Sequence, residues 1–108
     1  MATGRLGAAD LAATTDTLLY TVPASTRATV SISLCNRNAS TAALRIGVVD
    51  GTLVGDLADE DYIEYDSSVA ANGVLERTGI ALAADESIVV RSDSASVSAV
   101  IWGFEESA

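Results

Sequence analysis

The chain has 108 residues, 49% of them hydrophobic and 19% charged, which is enough apolar surface for one packed domain and too much for disorder. Fifteen acidic residues against six basic ones give a formal charge of -9, a field that repels phosphate backbones and anionic lipid and argues against nucleic acid or a membrane as partner. The absence of His excludes the usual general base, the Ser-His-Asp triad and most zinc sites.

The first sixteen residues hold only two large apolar side chains besides the initial Met, Leu6 and Leu11, among Ala, Gly, Thr and Asp. They are expected to form an N-terminal arm, residues 1–16, ahead of a single domain over residues 17–108. An arm of this kind either folds back as an edge strand or extends onto a neighbouring molecule. No N-terminal stretch joins a positive start to an apolar segment, and no run approaches the roughly 18 residues of a membrane helix. A soluble product, not exported by a cleaved signal, is expected.

Beyond the arm, apolar and small polar residues alternate with a period near two, and turn formers interrupt them at regular spacing. Thr17 to Val22 reads as a strand with Leu18, Tyr20 and Val22 on one face, ended by Pro23. Ala28 to Cys35 is the plainest strand, with Val30, Ile32 and Leu34 on one face and Thr29, Ser31 and Ser33 on the other. Cys35, the only cysteine, reads as a small buried thiol in this apolar run. The loop Asn36 to Ser40 then leads into Ala42 to Val49, and the two strands read as a hairpin.

Asp50 to Asp61 is a long loop, and Tyr62 to Val69 resumes the strand pattern. Asn72-Gly73 is the best two-residue hairpin signal, joining that strand to Val74 through Ile80. Ser87 to Arg91 and Val97 to Phe104 are the last strands, and the polar tract between them suits a short hairpin connection. Seven or eight antiparallel strands without an amphipathic helix predict an all-β, antiparallel β-sandwich of jelly-roll-like type, with the strand topology left open.

The last strand is apolar on both faces, with Val97, Ala99 and Ile101 on one side and Val100, Trp102 and Phe104 on the other. Either the N-terminal segment or a neighbouring subunit covers the second set, because exposed aromatic patches mark interfaces. Leu6, Leu11, Val100, Trp102 and Phe104 are therefore the candidate interface residues.

No residues are expected to serve as catalytic groups. The lone Cys lacks a base, no Lys is present for Schiff-base chemistry, and no Gly-rich phosphate loop opens a helix. Five aromatic residues are too few for both a core and a sugar platform. The acidic run Asp56, Asp59, Glu60, Asp61, Glu64 and Asp66 offers oxygen ligands for Ca²⁺ but matches no calcium-loop spacing, so it reads as a solvated loop. No enzyme activity, cofactor or metal is expected.

Two stretches carry a likeness to known proteins: Leu18-Leu19-Tyr20-Thr21-Val22-Pro23-Ala24 with Leu34-Cys35-Asn36-Arg37-Asn38, and Asp61-Tyr62-Ile63-Glu64-Tyr65-Asp66 with Asn72-Gly73-Val74-Leu75-Glu76-Arg77-Thr78-Gly79-Ile80. From about Asp16 to Glu106 the chain resembles small virion structural proteins of tailed bacteriophages. The resemblance implies a capsid decoration (cement) protein, or a related tail or baseplate component. It implies a homo-oligomer, a trimer being favoured, that is made in the host cytoplasm and sits on the capsid surface against the major capsid protein. The alternative it implies is a tail, baseplate or fibre-associated module that recognises a host surface sugar or protein.

Overall fold

A computed structural model describing residues 1–108 contains eight strands. They are β1 (Thr3–Leu11), β2 (Thr17–Thr21), β3 (Thr26–Asn36), β4 (Ala42–Val49), β5 (Tyr62–Val69), β6 (Val74–Leu82), β7 (Ser87–Ser92) and β8 (Val97–Ser107). One sheet has the order β1-β8-β3-β6 and the other β2-β7-β4-β5, and all six strand pairings are antiparallel. The chain is thus an all-β sandwich of two four-stranded sheets, sheet A and sheet B.

The pairings β1·β8, β2·β7, β3·β6 and β4·β5 nest inside one another and alternate between the sheets. The chain is in effect one long hairpin, with its tip at β4 and β5, rolled up so that β3·β8 and β4·β7 close the two sheets. This is the jelly-roll arrangement.

The core follows from the alternation. Val30, Ile32 and Leu34 of β3 and Val97, Ala99 and Ile101 of β8 point inward from sheet A, and Leu44, Ile46, Ile88 and Val90 meet them from sheet B, all buried. Burying each such side chain contributes roughly 1.5–3 kcal/mol. Strand β7 departs from alternation because Ser87, Ile88, Val89 and Val90 are all buried. The β4–β5 loop explains this. It carries two single-turn 3₁₀ helices (Val54–Asp56 and Asp59–Asp61) and folds over sheet B. Leu57 occupies the space outside Gly47, where a Cβ would come within 2.6 Å of Leu57 Cδ1. Gly47 is the register partner of Val89, so the loop covers both.

Each edge strand carries a bulge, whereas the central pairings β3·β8 and β4·β7 run without a break. Leu6 is the extra residue in β1 and Leu19 in β2. Tyr65 and Asp66 together oppose Arg45 in β5, and Thr78 and Gly79 oppose Ser31 in β6. Bulges bend an edge away from a ladder partner, which blunts edge-to-edge association. Positive φ is held by six non-glycine residues, at Asp66 in the β5 bulge and at Thr14, Ser25, Asn72, Asp85 and Ser96 in the connections.

Four readings of the sequence are corrected here. The three expected hairpins, β3 with β4, β5 with β6 and β7 with β8, are crossings between the sheets. The turn at Ala70–Gly73 closes with the Gly73 amide donating to the Ala70 carbonyl at 2.9 Å. Only Asn72 in it has positive φ, so it is not the type I′ turn expected from Asn72-Gly73, which needs positive φ at both.

Cys35 is half-buried and lies on the outward face with Thr29, Ser31 and Ser33, since its odd position in the alternation places it there. The bulge at Leu19 puts Leu19 and Tyr20 in the core and leaves Leu18 half-buried. Residues Thr3–Leu11 fold back as the edge strand β1 beside β8, the first of the two courses open to the arm.

Asn36 is a buried knot between connections. Its side-chain amide donates to the carbonyls of Ser40 (2.9 Å), Val69 (3.1 Å) and Ala70 (3.2 Å), and its Oδ1 accepts from the Asn38 backbone and side chain at 3.0 Å. It thereby fixes the β3–β4 and β5–β6 crossings to each other.

Candidate interaction surface

The outward face of sheet A is ordered in rows by its register. Thr3, Phe104, Thr29 and Ala81 form one row, and Arg5, Trp102 and Ser31 the next. Ala8, Val100, Ser33 and Glu76 form the third, and Asp10, Ser98, Cys35 and Val74 the fourth. Strand β8 therefore raises a ridge of Val100, Trp102 and Phe104, and β3 beside it leaves a trough of small hydroxyl side chains.

Of the five candidate interface residues, the structure places three on this ridge. Trp102 is 37% and Phe104 43% exposed, and Val100 is half-buried. Leu11 is 2% exposed and belongs to the core, and Leu6 packs against the core from the β1 bulge. These two are not surface groups, because the arm that carries them forms a strand of the sandwich. That strand sets Thr3 beside Phe104, Arg5 beside Trp102 and Ala8 beside Val100, in the plane of the sheet and not over the ridge.

Charge on this face is confined to its margins. Five of the six arginines pair with carboxylates: Arg27 with Glu106, Arg37 with Asp10, Arg45 with Asp66, Arg77 with Glu64 and Arg91 with Asp16. Arg5 alone has no carboxylate partner, and it is exposed on edge strand β1 next to Trp102. Glu76, exposed and also outside every ion pair, lies on the opposite edge strand, β6. Sequence reading missed both these charges, and it placed Thr29, Ser31 and Ser33 on one face without setting them beside the ridge. The parity of Thr29, Ser31, Ser33 and Cys35 carried the signal for the trough, but the placement of Arg5 depends on the bulge at Leu6.

A second, polar cluster lies on the outward face of sheet B. The β5 bulge turns both Tyr65 and Asp66 toward Arg45. The Arg45 guanidinium lies 4.1 Å from the Tyr65 ring centre and 5.9 Å from that of Tyr62, and bonds Asp66 through Nε (2.7 Å) and Nη2 (3.3 Å). This pairing holds the Asp66 carboxyl below the usual range. The neighbouring groove, about 270 Å³, is lined by Thr14, Ala43, Arg45, Asp66, Arg91 and Asp93. Both of its arginines are already engaged by Asp66 and Asp16, so it presents little free charge.

The acidic stretch does not converge on one point. Asp56 accepts from the Leu53 amide (3.1 Å) and Asp61 from the Ala58 amide (2.8 Å), each closing a 3₁₀ turn. Glu64 accepts from Ser67 Oγ (2.5 Å) and Arg77 Nη1 (2.6 Å), bonds that hold its carboxyl below the usual range. Since β5 and β6 belong to different sheets, the Glu64–Arg77 pair closes the sandwich at that edge. No three Cys, Asp or Glu side chains are placed to hold a metal ion together.

No protein family, curated protein or solved structure matches the chain.

Proposed function

We propose that this chain is a non-enzymatic structural protein of a tailed-bacteriophage virion, a capsid decoration protein that binds the assembled shell as a symmetric homo-oligomer. The observation that carries the reading is the Val100, Trp102, Phe104 ridge. It is an exposed apolar strip with two aromatic side chains on a sheet face, in a molecule that pairs five of its six arginines with its own carboxylates. Aromatic anchors of this kind dominate the energetics of protein contacts. The likeness of the two sequence stretches to small virion proteins supplies the setting, with the major capsid protein as partner, the capsid surface as location and synthesis in the host cytoplasm.

The mechanism is mass action. A protein that binds only the assembled shell stabilises that state by its binding free energy, about 2.7 kcal/mol per site at a free concentration of 100 times Kd. Incubating purified shells that lack the protein with this chain, followed by co-sedimentation and electron microscopy, tests the reading. Saturable binding at a symmetric capsid position is expected, weakened at least about tenfold by Trp102→Ala. Absence of binding, or density at the tail alone, overturns it.

The exposed Tyr65, 58% accessible beside Tyr62 and Arg45, favours a second reading. In it the chain is a tail, baseplate or fibre-associated module that recognises a host surface sugar or protein through sheet B. A glycan array decides the sugar form of this reading: hits lost in Tyr65→Ala support it, and a blank array removes it.

A further inference from the structure

The outward face of sheet A complements itself. The ridge of β8 and the trough of β3 lie side by side in register, Phe104 beside Thr29, Trp102 beside Ser31 and Val100 beside Ser33. The one unpaired guanidinium, Arg5, stands on the β1 edge, and the unpaired carboxylate of Glu76 stands on the β6 edge one row away. A half-turn about an axis that lies along the strands, between β8 and β3, exchanges the two sides of the face. It sets the ridge of one copy over the trough of the other and brings each β1 edge over a β6 edge. A half-turn about the axis across the strands does neither, because it lays ridge on ridge and β1 on β1.

We propose that a second copy of this chain packs on this face about the strand-parallel axis. Trp102 and Phe104 then enter the hydroxyl trough of the other copy, and two Arg5–Glu76 contacts form at the rims. An isologous contact of this type is the commonest way for soluble chains to pair.

Size and geometry agree with that occupant. Four strands at about 4.8 Å spacing, 9 to 11 residues long where they form this face, span roughly 600–700 Å² at about 3.3 Å per residue. That is near the roughly 800 Å² per partner of a standard interface. The edges offer no competing route, since every edge strand is bulged. The resemblance to virion proteins implies a trimer, whereas this face specifies a pair. Pairing covers the ridge that the proposed function relies on, so a paired chain meets a shell through another face and Trp102→Ala weakens shell binding by separating the pair. A measurement on the free chain in solution tests the pairing apart from the virion placement.

Sedimentation equilibrium of the full chain, from about 1 to about 500 μM, tests it without any phage particle. The expected species has twice the 11.0 kDa chain mass. Trp102→Ala is expected to weaken pairing at least about tenfold. Arg5→Glu and Glu76→Arg each weaken it about fivefold, and the double exchange R5E/E76R returns it to within about twofold of the native chain.

Cys35, the only thiol, lies on the same face. With sheets about 10 Å apart, a short bis-maleimide is expected to link two copies through it at a concentration near Kd, and Arg5→Glu to reduce that product in step with its roughly fivefold weaker pairing. A monomer throughout the range, a trimer, or an oligomer indifferent to both Trp102→Ala and the charge exchange overturns the proposal.

Discussion

Tyr20 of β2 and Glu105 of β8 meet across the two sheets, the phenol hydroxyl donating to Glu105 Oε2 at 2.5 Å while the Ala2 amide donates to Oε1 at 3.1 Å. Burial first, and the carboxylate second, raise the Tyr20 pKa well above the ordinary phenol value. The phenol first, and the Ala2 amide second, hold Glu105 below the ordinary carboxylate range. A lowered carboxyl contributes stability that is present above about pH 4.3 and is lost as pH falls below it. A raised phenol contributes stability that is present below about pH 10 and is lost as pH rises beyond it.

Tyr20→Phe is therefore expected to lower the plateau between these limits by about 1–2 kcal/mol and to flatten the alkaline decline. Glu105→Gln is expected to flatten the acid decline. Urea unfolding midpoints measured from pH 3 to pH 11 check both, and alkaline limbs that run parallel in Tyr20→Phe and the native chain contradict the assignment.

Asn36, itself fully buried, divides two amide hydrogens among three carbonyls, the bond to Val69 buried and those to Ser40 and Ala70 part-buried. Replacing it by Ala leaves those carbonyls short of a donor, at an expected cost of about 2–3 kcal/mol. Asn36→Asp is expected to be worse, because an acceptor-only carboxylate then faces the same three oxygens. Chemical denaturation orders the three proteins, and a near-neutral Asn36→Ala contradicts the role as a knot.

Gly103 separates the two exposed aromatic residues of β8. It holds φ +153°, and a Cβ there would lie 2.0 Å from the Thr29 carbonyl oxygen and 2.9 Å from Val30 Cα. Both obstacles are backbone of the central pairing, which has no freedom to move aside. Gly103→Ala is expected to cost at least about 3 kcal/mol. Gly55→Ala, where a Cβ meets nothing within 4 Å, is expected to stay within about 0.5 kcal/mol of the native chain. Thermal melts of the pair provide the check.

Thr78 and Gly79 together face Ser31, with Gly79 at φ +69°. Deleting Gly79 restores one-to-one pairing and straightens the β6 edge. The deleted chain is expected to fold, with light scattering during refolding that rises steeply with concentration while the native chain stays clear. Equal scattering from both contradicts a protective role for the bulge.

Strand positions were legible in the sequence where alternation was clean. Ala42 to Val49 and Tyr62 to Val69 are found with the bounds read from the pattern, and Val97 to Phe104 only extends to Ser107. Partnership was not legible. Asn36 to Ser40 and Ser92 to Ser96 announce a chain reversal, but a reversal onto the neighbouring strand and one across the core use the same turn residues.

Strand β1 was legible only as one of two courses open to the arm, because Gly4, Gly7 and its alanines contribute little side-chain pattern and its partner is β8, far along the chain. The ridge was half legible. Two apolar faces on β8 singled out Trp102 and Phe104 as needing a cover, from the N-terminal segment or a neighbour, whereas the charges that frame them depend on bulges that no local pattern records.

The connections hold a reserve that the native sequence leaves unused. Thr14, Ser25, Asp85 and Ser96 all occupy the left-handed region, where a side chain costs roughly 1–2 kcal/mol that glycine does not, offset by about 0.5–1 kcal/mol of glycine's extra unfolded-state entropy. All four lie between strands and away from the ridge, and the turns they occupy are held by backbone bonds: the Thr14 amide to Ser92, the Asp85 amide to Val22, and the Ser25 and Ser96 carbonyls to the Ala108 and Arg37 amides. Glycine keeps every one of those bonds. A hotter-melting form of the same jelly roll is thus reachable through its turns alone, with both sheets and their outward faces left as they are.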